Sequence, residues 1–461
     1  MILSGARRTL AICGLLSLAA FAHGEDNSLI RDVAIIGGGA SGTYAAIRLR
    51  DQGKSVILIE KEERLGGHTN TYEDPVTKTH VDYGVVVFHD NQLVKNYFDR
   101  LNVSWLVTDP HSTSGSPVYL DDQSAKPVNY TSPDARAALQ AYAAHLAQYP
   151  EVESGFFLPD PVPEDLLLPF GEFLTKYPDV GNAAFTIFTF GQGLGDFLSR
   201  PTLYVFKNFG LEIIQDISTG FLVTASQNNQ EIYQHATAIL GHDVWTSSHV
   251  TSTPHRRKEG IQLEVKTPSG RRTVKAKKLL IAFPQKLDKL KPFDLDELES
   301  SLFGKFMNTG YYTSLVKNTG LPGNFSSTSV GANTPYQIPE LPGVYAVSAT
   351  AIPGVFDVKY GSPTGLPDDF VRGEILSYLK KLQANGFAEK VPGEPEFVAY
   401  HSHTPFELTV GRDEIAGGFY KKLYALQGHR NTWYTGAAFD TQDSSMLWNF
   451  TEEHILPDLL A

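Results

Sequence analysis

Residues 32–60 read DVAIIGGGASGTYAAIRLRDQGKSVILIE. The apolar run Asp32 to Ile36 has the unbroken hydrophobicity of a strand buried on both faces. Gly37-Gly38-Gly39-Ala40-Ser41-Gly42 follows at once, and Thr43 to Gln52 carries a helical pattern closed by Gly53 as C-cap. A second strand, Ser55 to Ile59, ends in Glu60, 23 residues after Gly37. This is the spacing of a dinucleotide-binding βαβ unit. Gly37 permits the tight turn, Gly39 lets backbone approach a pyrophosphate, and Gly42 lets helix and strand pack closely. Ala40 and Ser41 open the helix, whose N–H groups and partial positive charge face the phosphates. Glu60 is placed to accept hydrogen bonds from ribose hydroxyls.

The next stretch, Glu60-Lys61-Glu62-Glu63-Arg64-Leu65-Gly66-Gly67-His68-Thr69, resembles the R-x-G-G signature of the flavoprotein amine oxidase superfamily. The resemblance implies FAD rather than NAD. It also implies an α/β fold: a discontinuous Rossmann-like FAD-binding domain of glutathione-reductase type, with an α+β substrate domain as in amine oxidases. Gly66 and Gly67 would lie against the flavin and Arg64 near the phosphate and ribose. His68 would stand beside the ring, either forming a covalent histidyl link or only positioning the cofactor. The later flavin segments are matched by Val250 in His249-Val250-Thr251, which would meet the adenine. The strand pair Ile261–Thr267 and Arg271–Lys277 and a strand at Leu279–Pro284 follow. The last segment is Thr432-Trp433-Tyr434-Thr435-Gly436, then a helix from about Ser444 to Leu460 with Met446 in its first turn, capped by Asp443 or Ser444. Lys305 is either the lysine that superfamily members hold near flavin N5 or a solvated charge. The resulting division is 1–22 signal peptide, 30–85, 220–295 and 426–461 flavin segments, and 86–219 and 296–425 substrate domain.

Leu65 to Tyr72, Val81-Asp82-Tyr83-Gly84-Val85 and Pro201-Thr202-Leu203-Tyr204-Val205 narrow the resemblance to secreted fungal flavoproteins similar to β-cyclopiazonate dehydrogenase. That group couples two-electron oxidation of an indole-bearing secondary metabolite to ring closure. It implies hydride transfer from a small organic substrate to flavin N5, with or without cyclisation, and reoxidation by O2 or another acceptor. Two alternatives stand beside it: a redox-neutral flavin isomerase of an unsaturated apolar substrate, and an amine oxidase. A vestigial, non-enzymatic binding protein is a third reading. Two departures tell against a simple amine oxidase. Gly436 is followed by Ala437 and Ala438 instead of an acid, leaving Asp440 or Asp443 for that contact. Met446 or Leu447 stands where a cage aromatic is usual.

Outside these motifs, Asn228 to Glu231 reads as a capping box for a helix ending at Gly241. Ser132-Pro133-Asp134 reads as the start of a helix to about Gln148, and another runs from about Asp368 to Asn385. The length, 461 residues, suits two or three domains, and the net charge of −12 argues against nucleic acid. Arg7-Arg8, the short apolar run Leu10 to Phe21 and Ala20-Phe21-Ala22 read as a cleaved export signal, too short to span a bilayer. The only cysteine, Cys13, falls within it, so a cleaved chain has no thiol chemistry. Sequons at Asn102, Asn129, Asn324 and Asn449 fit secretion and N-glycosylation. Gly191-Gln192-Gly193-Leu194-Gly195 lacks the spacing of a second dinucleotide site. His401-Ser402-His403 places two imidazoles on one strand face without a third ligand, so no metal site is expected.

Overall fold

The structure, a computed structural model, describes residues 28–109, 117–389 and 391–461. The export signal and Cys13 lie outside the described residues. Strand β1 (Leu29–Ile36) leads into helix α1 (Ala40–Asp51) and strand β2 (Val56–Ile59). The four residues Val33–Ile36 and all of β2 are buried, as their unbroken hydrophobicity requires. Gly53, with φ +77°, turns the chain back after α1. Helix α2 (Gln230–Leu240) precedes three strands, β3 (His249–Arg257), β4 (Gly260–Thr267) and β5 (Gly270–Ile281). The sheet runs Val244–Trp245, β2, β1, β5, β4, β3.

Arg271–Lys277 and Leu279–Pro284 are therefore not two strands. They belong to one, because β5 changes partner along its length. Its first half pairs antiparallel with β4, and its second half runs parallel to β1. Leaving the hairpin carries the strand into the sheet centre, where Leu279, Leu280 and Ile281 are fully buried.

A second sheet carries β6 (Met307–Lys317) between Phe356–Ser362 and β7 (Glu396–Ser402), and β8 (Phe406–Thr409) pairs with the start of β6. Helix Asp368–Ala384 covers this sheet through Val371, Ile375, Leu379 and Leu382, and Gly386 follows it at φ +83°. Short aromatic-rich helices, Ala184–Phe190 and Thr202–Asn208 among them, pack into the core. Phe185, Phe188, Tyr204 and Phe206 are buried there, whereas Phe190 is half exposed. The helix expected from Ser132 begins at Arg136 and ends at Leu146 with no side-chain cap, because Asp134 pairs with the Arg136 guanidinium.

The chain then returns to the first sheet. Strand β9 (Thr432–Tyr434) runs parallel to the second half of β5, and α3 (Ser444–Phe450) follows. The final helix is not continuous. Residues Thr451–Ile455 form a π-helical turn before Leu456–Leu460. Thr451 Oγ1 donates to Leu447 O at 2.7 Å, and Pro457 has no N–H to give to the preceding turn.

One ion pair ties these layers together. Arg256 on β3 and Glu299 have fully buried side chains and pair directly. Tyr434 of β9 donates to Glu299 at 2.5 Å, and Arg256 also donates to Asp294 O at 3.1 Å. Replacing Glu299 with Ala strands a buried guanidinium. The expected cost is about 3–5 kcal/mol, read as a lower thermal midpoint. A midpoint within a degree or so of the parent would show that the pair is not structural.

Candidate functional site

The glycine turn closes over the carboxyl ends of β1 and β5. Gly37 sits at φ +103°, and a Cβ there would lie 2.9 Å from Ala282 O. A Cβ on Gly42 would lie 1.9 Å from Gly37 O, so only glycine lets α1 pack on the turn. Gly39 is different in kind. A Cβ there would meet only Gly67 Cα, at 3.8 Å. Its lack of a side chain keeps a cradle open instead of relieving a clash. Beside it Ser41 Oγ is buried without a hydrogen-bond partner, at a helix start that no side chain caps. A buried unpaired hydroxyl and free N–H groups at one spot are what a phosphate would satisfy.

Glu60 is buried and accepts from Gly38 N at 2.6 Å and Glu62 N at 2.8 Å. The carboxylate thus braces the turn that forms the cradle. Ser248 N donates to Glu60 O at 2.8 Å, which brings the start of β3 and buried Val250 close to the same end. Arg64 does not reach out as a free cation. It donates to Gln230 Oε1, to Thr69 O at 3.1 Å and to Asn70 Oδ1 at 2.5 Å. Gln230 in turn donates to Leu65 O at 2.7 Å. Arg64 and α2 therefore shape the loop that holds Gly66 (φ +129°) and Gly67 (φ +54°) against Gly39.

The capping box at 228–231 does not form. Asn229 is instead bonded to Val85 O, Val86 O and Thr224, and its N–H goes to the Asp82 carboxylate. Burial pushes the Asp82 carboxyl up to about 7. It bonds Thr71 as well, joining the loop to α2. Val81-Asp82 stood in the family pattern, but no spacing marked Asp82 as the cap of a helix 147 residues away.

His68 is half-buried at the end of the glycine loop and faces the second sheet. Its ring stacks on His403 at 4.4 Å and 8° between planes. His401 lies 5.0 Å from His403 and 6.3 Å from His68. Phe406 lies 5.9 Å from His68, and Tyr311 lies 5.5 Å from His403 and donates to Gln192 at 2.6 Å. Burial first, then His401 and Lys61, hold His68 down at about 3. Burial also lowers His401 and His403 and raises Tyr311 far above the ordinary phenol range. These five side chains form an uncharged wall. His401 and His403 do share a face, and the Gly191–Gly195 run packs there too, since a Cβ on Gly193 would strike the Phe406 ring.

At the start of α3, Asp443 is the cap, accepting from Met446 N at 2.9 Å. Gly436, at φ +106°, turns the chain from β9 toward it. No motif or spacing singled out His89, which is buried against this helix start. Its N–H donates to Ser445 Oγ at 3.0 Å, its Nδ1 lies 2.6 Å from Asp216 and its Nε2 lies 3.6 Å from Asp443. Burial opposes its charge, but Asp443, Asp216 and Glu212 outweigh it and raise His89 to about 9. His89, Lys207, Glu212 and Met446 line a small cleft here. Asp440 is paired with Lys207, so neither acid stands free where the family acid would be. Lys305 is away from this region, in a half-exposed pair with Glu414 at 2.6 Å. Asp296, Glu299 and His429 also cluster, but Arg256 and Arg430 already neutralise Glu299.

These parts fit FAD: a phosphate cradle at Gly39 and Ser41, the carboxylate Glu60 beside it, and a glycine loop leading to His68. The comparisons agree. The family model "NAD(P)-binding Rossmann-like domain" matches residues 35–101. The chain is 43% identical to the FAD-dependent oxidoreductase oblC of Cochliobolus heterostrophus, covering 94% of this chain and 92% of that protein. It is 34% identical to β-cyclopiazonate dehydrogenase of Aspergillus oryzae, covering 97% and 98%. Among solved structures, a fatty acid isomerase from P. acnes superposes with TM-score 0.72 at 20% identity, covering 93% and 98%. Putrescine oxidase bound to putrescine superposes with TM-score 0.62 at 17% identity, covering 93% and 100%. At those identities the two structures show the fold alone.

The two glycines can be told apart by experiment. Gly42→Ala should fail to fold or lose several degrees of thermal midpoint. Gly39→Ala should fold normally but retain at least about tenfold less FAD, since its Cβ fills only the cradle. Full FAD content in Gly39→Ala would remove the cradle assignment.

Proposed function

The chain belongs to the family of FAD-dependent oxidoreductases that includes β-cyclopiazonate dehydrogenase, and within it we propose that it oxidises a small, uncharged, aromatic-bearing secondary metabolite by two electrons. Bound FAD supplies the two-electron acceptor. Gly39, Ala40, Ser41 and Gly42 would hold its pyrophosphate, Glu60 its ribose, Val250 its adenine, and Gly66, Gly67, His68, Gly436 and Met446 would surround its ring.

The observation that carries the reading is the stacking of His68, the last residue of the cofactor loop, on His403 of the opposite wall. It supports a reacting face against His68, His401, His403, Tyr311 and Phe406. None of these carries a charge near neutral pH, so the wall has no anion for an ammonium group. It offers aromatic faces for stacking and neutral imidazoles for hydrogen bonding to hydroxyl, enol or amide groups. Excluding water from such a wall favours hydride departure over solvent exchange. Dioxygen or another acceptor completes the cycle, and closure of a new ring on the oxidised carbon is part of the proposal. The half-buried, uncharged state of His68 also favours a covalent histidyl link to the flavin.

The test mixes the flavin-loaded protein anaerobically with three probes: β-cyclopiazonate, an unsaturated fatty acid and putrescine. Bleaching by the indole-bearing probe alone is the expected result. Bleaching by putrescine would overturn the proposal in favour of amine oxidation, and repeated fatty acid turnover without bleaching would make the protein an isomerase. Acid precipitation of the same protein should leave yellow flavin in the pellet, and a colourless pellet rejects the covalent link.

We further propose that the protein is secreted and N-glycosylated. Asn102, Asn129 and Asn324 are exposed. Asn449 is half-buried on α3, and its sequon hydroxyl, Thr451, is bonded inside the helix. Expression through a secretory host followed by peptide mapping should find glycans on the first three and none on Asn449. Retention of unglycosylated protein inside the cells would reject the proposal.

A further inference from the structure

Three histidines from two separate segments meet at one point, and ordinary packing does not explain their state. His403 is 3% exposed, yet its Nε2 has no hydrogen-bond partner, and neither does buried Nδ1 of His401. Leaving such nitrogens unpaired costs about 1–3 kcal/mol each. One of these rings is stacked flat on His68, at 4.4 Å between centroids and 8° between planes, and that stack fixes the plane of the His68 ring. The remaining groups that act on the cluster are Lys61 on His68, Lys61, Arg64, Glu62 and Asp368 on His401, and Lys359 on His403. No carboxylate appears among the groups acting on His68 or His403, so no anion is placed to draw a proton onto either ring.

We propose that His403, backed by His401, is a positioning residue that fixes the plane of the His68 ring so that it can join the flavin. This rests on the covalent reading above. In that joining, a C–N bond forms between a His68 ring nitrogen and the carbon of a methyl group on the flavin's benzenoid ring. One methyl C–H bond and the His68 N–H bond break. Their two protons and two electrons end on dioxygen, which leaves as hydrogen peroxide. Only a nitrogen with a free lone pair can make the bond, and a protonated imidazole has none. The flat stack of His403 holds the plane of His68.

The test follows covalent loading in the full-length protein and three variants. Each is incubated aerobically with FAD at about pH 5 and about pH 8 and then acid-precipitated, and flavin is counted in pellet and supernatant. The parent should load equally at both values, because His68 stays neutral across the range. His403→Phe keeps an uncharged ring against His68 and should match the parent. His403→Ala should load about tenfold more slowly at both values. His403→Asp places an anion beside His68, so loading should be at least about tenfold slower near pH 5 and recover near pH 8. Total flavin per chain serves as the folding check, with His403→Phe as the variant that keeps the packing. Parent-like loading in both His403→Ala and His403→Asp would overturn the positioning role and leave the covalent link standing. Loss in His403→Phe equal to that in His403→Ala would overturn the ring-support argument. A parent pellet without flavin would defeat the covalent reading itself and this inference with it.

Discussion

The bare backbone approach of Gly39 to Gly67 is the constraint on which the rest depends. With a Cβ on Gly67 only 3.0 Å from Gly39 Cα, the phosphate end and the ring end of a dinucleotide site can share one narrow wall. Glycine permits this approach but does not enforce it. The enforcing groups are polar and mostly buried. Glu60 braces the turn from below, Arg64 and Gln230 fold the loop from the side, and Asp82 fastens the loop to α2. Arg64 shows how the reading must shift. A guanidinium with its donors spent on Gln230, Thr69 and Asn70 is a frame for the loop.

What the sequence disclosed and what it withheld divide along a physical line. The βαβ unit was legible because its requirements are local: an apolar strand, glycines at fixed offsets, a helix and an acid within 29 residues. The continuity of β5 was hidden because only pairing decides it, with β4 along one half and β1 along the other. The Asn228 box failed because the two N–H groups it would have used go elsewhere, Asn228 N to Thr224 Oγ1 and Glu231 N to Asn228 O. His89 had no local signature at all. Its neighbours come from residues 212, 216, 443 and 445, so only the folded chain makes it a cation. Lys305 shows the opposite error, in which a resemblance proposed a role and the fold spent the charge on Glu414.

The two ends of the site treat protons in opposite ways. At the start of α3, carboxylates overcome burial and hold His89 charged to about 9. At the end of the glycine loop, burial without carboxylates holds His68 neutral down to about 3. Both residues are imidazoles with the same intrinsic affinity, so the difference is entirely environmental. A cofactor lying from one to the other would have a fixed cation near one edge and a neutral nucleophile near the other. A redox ring that gains negative charge on reduction is stabilised at the first edge and leaves the second chemically free.

That asymmetry also bears on substrate choice within a common fold. Putrescine oxidase and the fatty acid isomerase share the architecture at 17% and 20% identity, so the architecture does not select the chemistry. Selection falls to the wall facing the ring. A diammonium ligand needs an anion there, and an aliphatic chain needs an apolar groove without hydrogen-bonding groups. A wall of three neutral imidazoles, a phenol and a phenyl ring serves neither well. The proposed function asks of it a flat, polar, uncharged substrate that stacks on the rings and bonds to their nitrogens. Within that proposal, the unpaired nitrogens of His401 and His403 are the atoms a ligand donor would reach, and pairing them would recover the cost of leaving them bare.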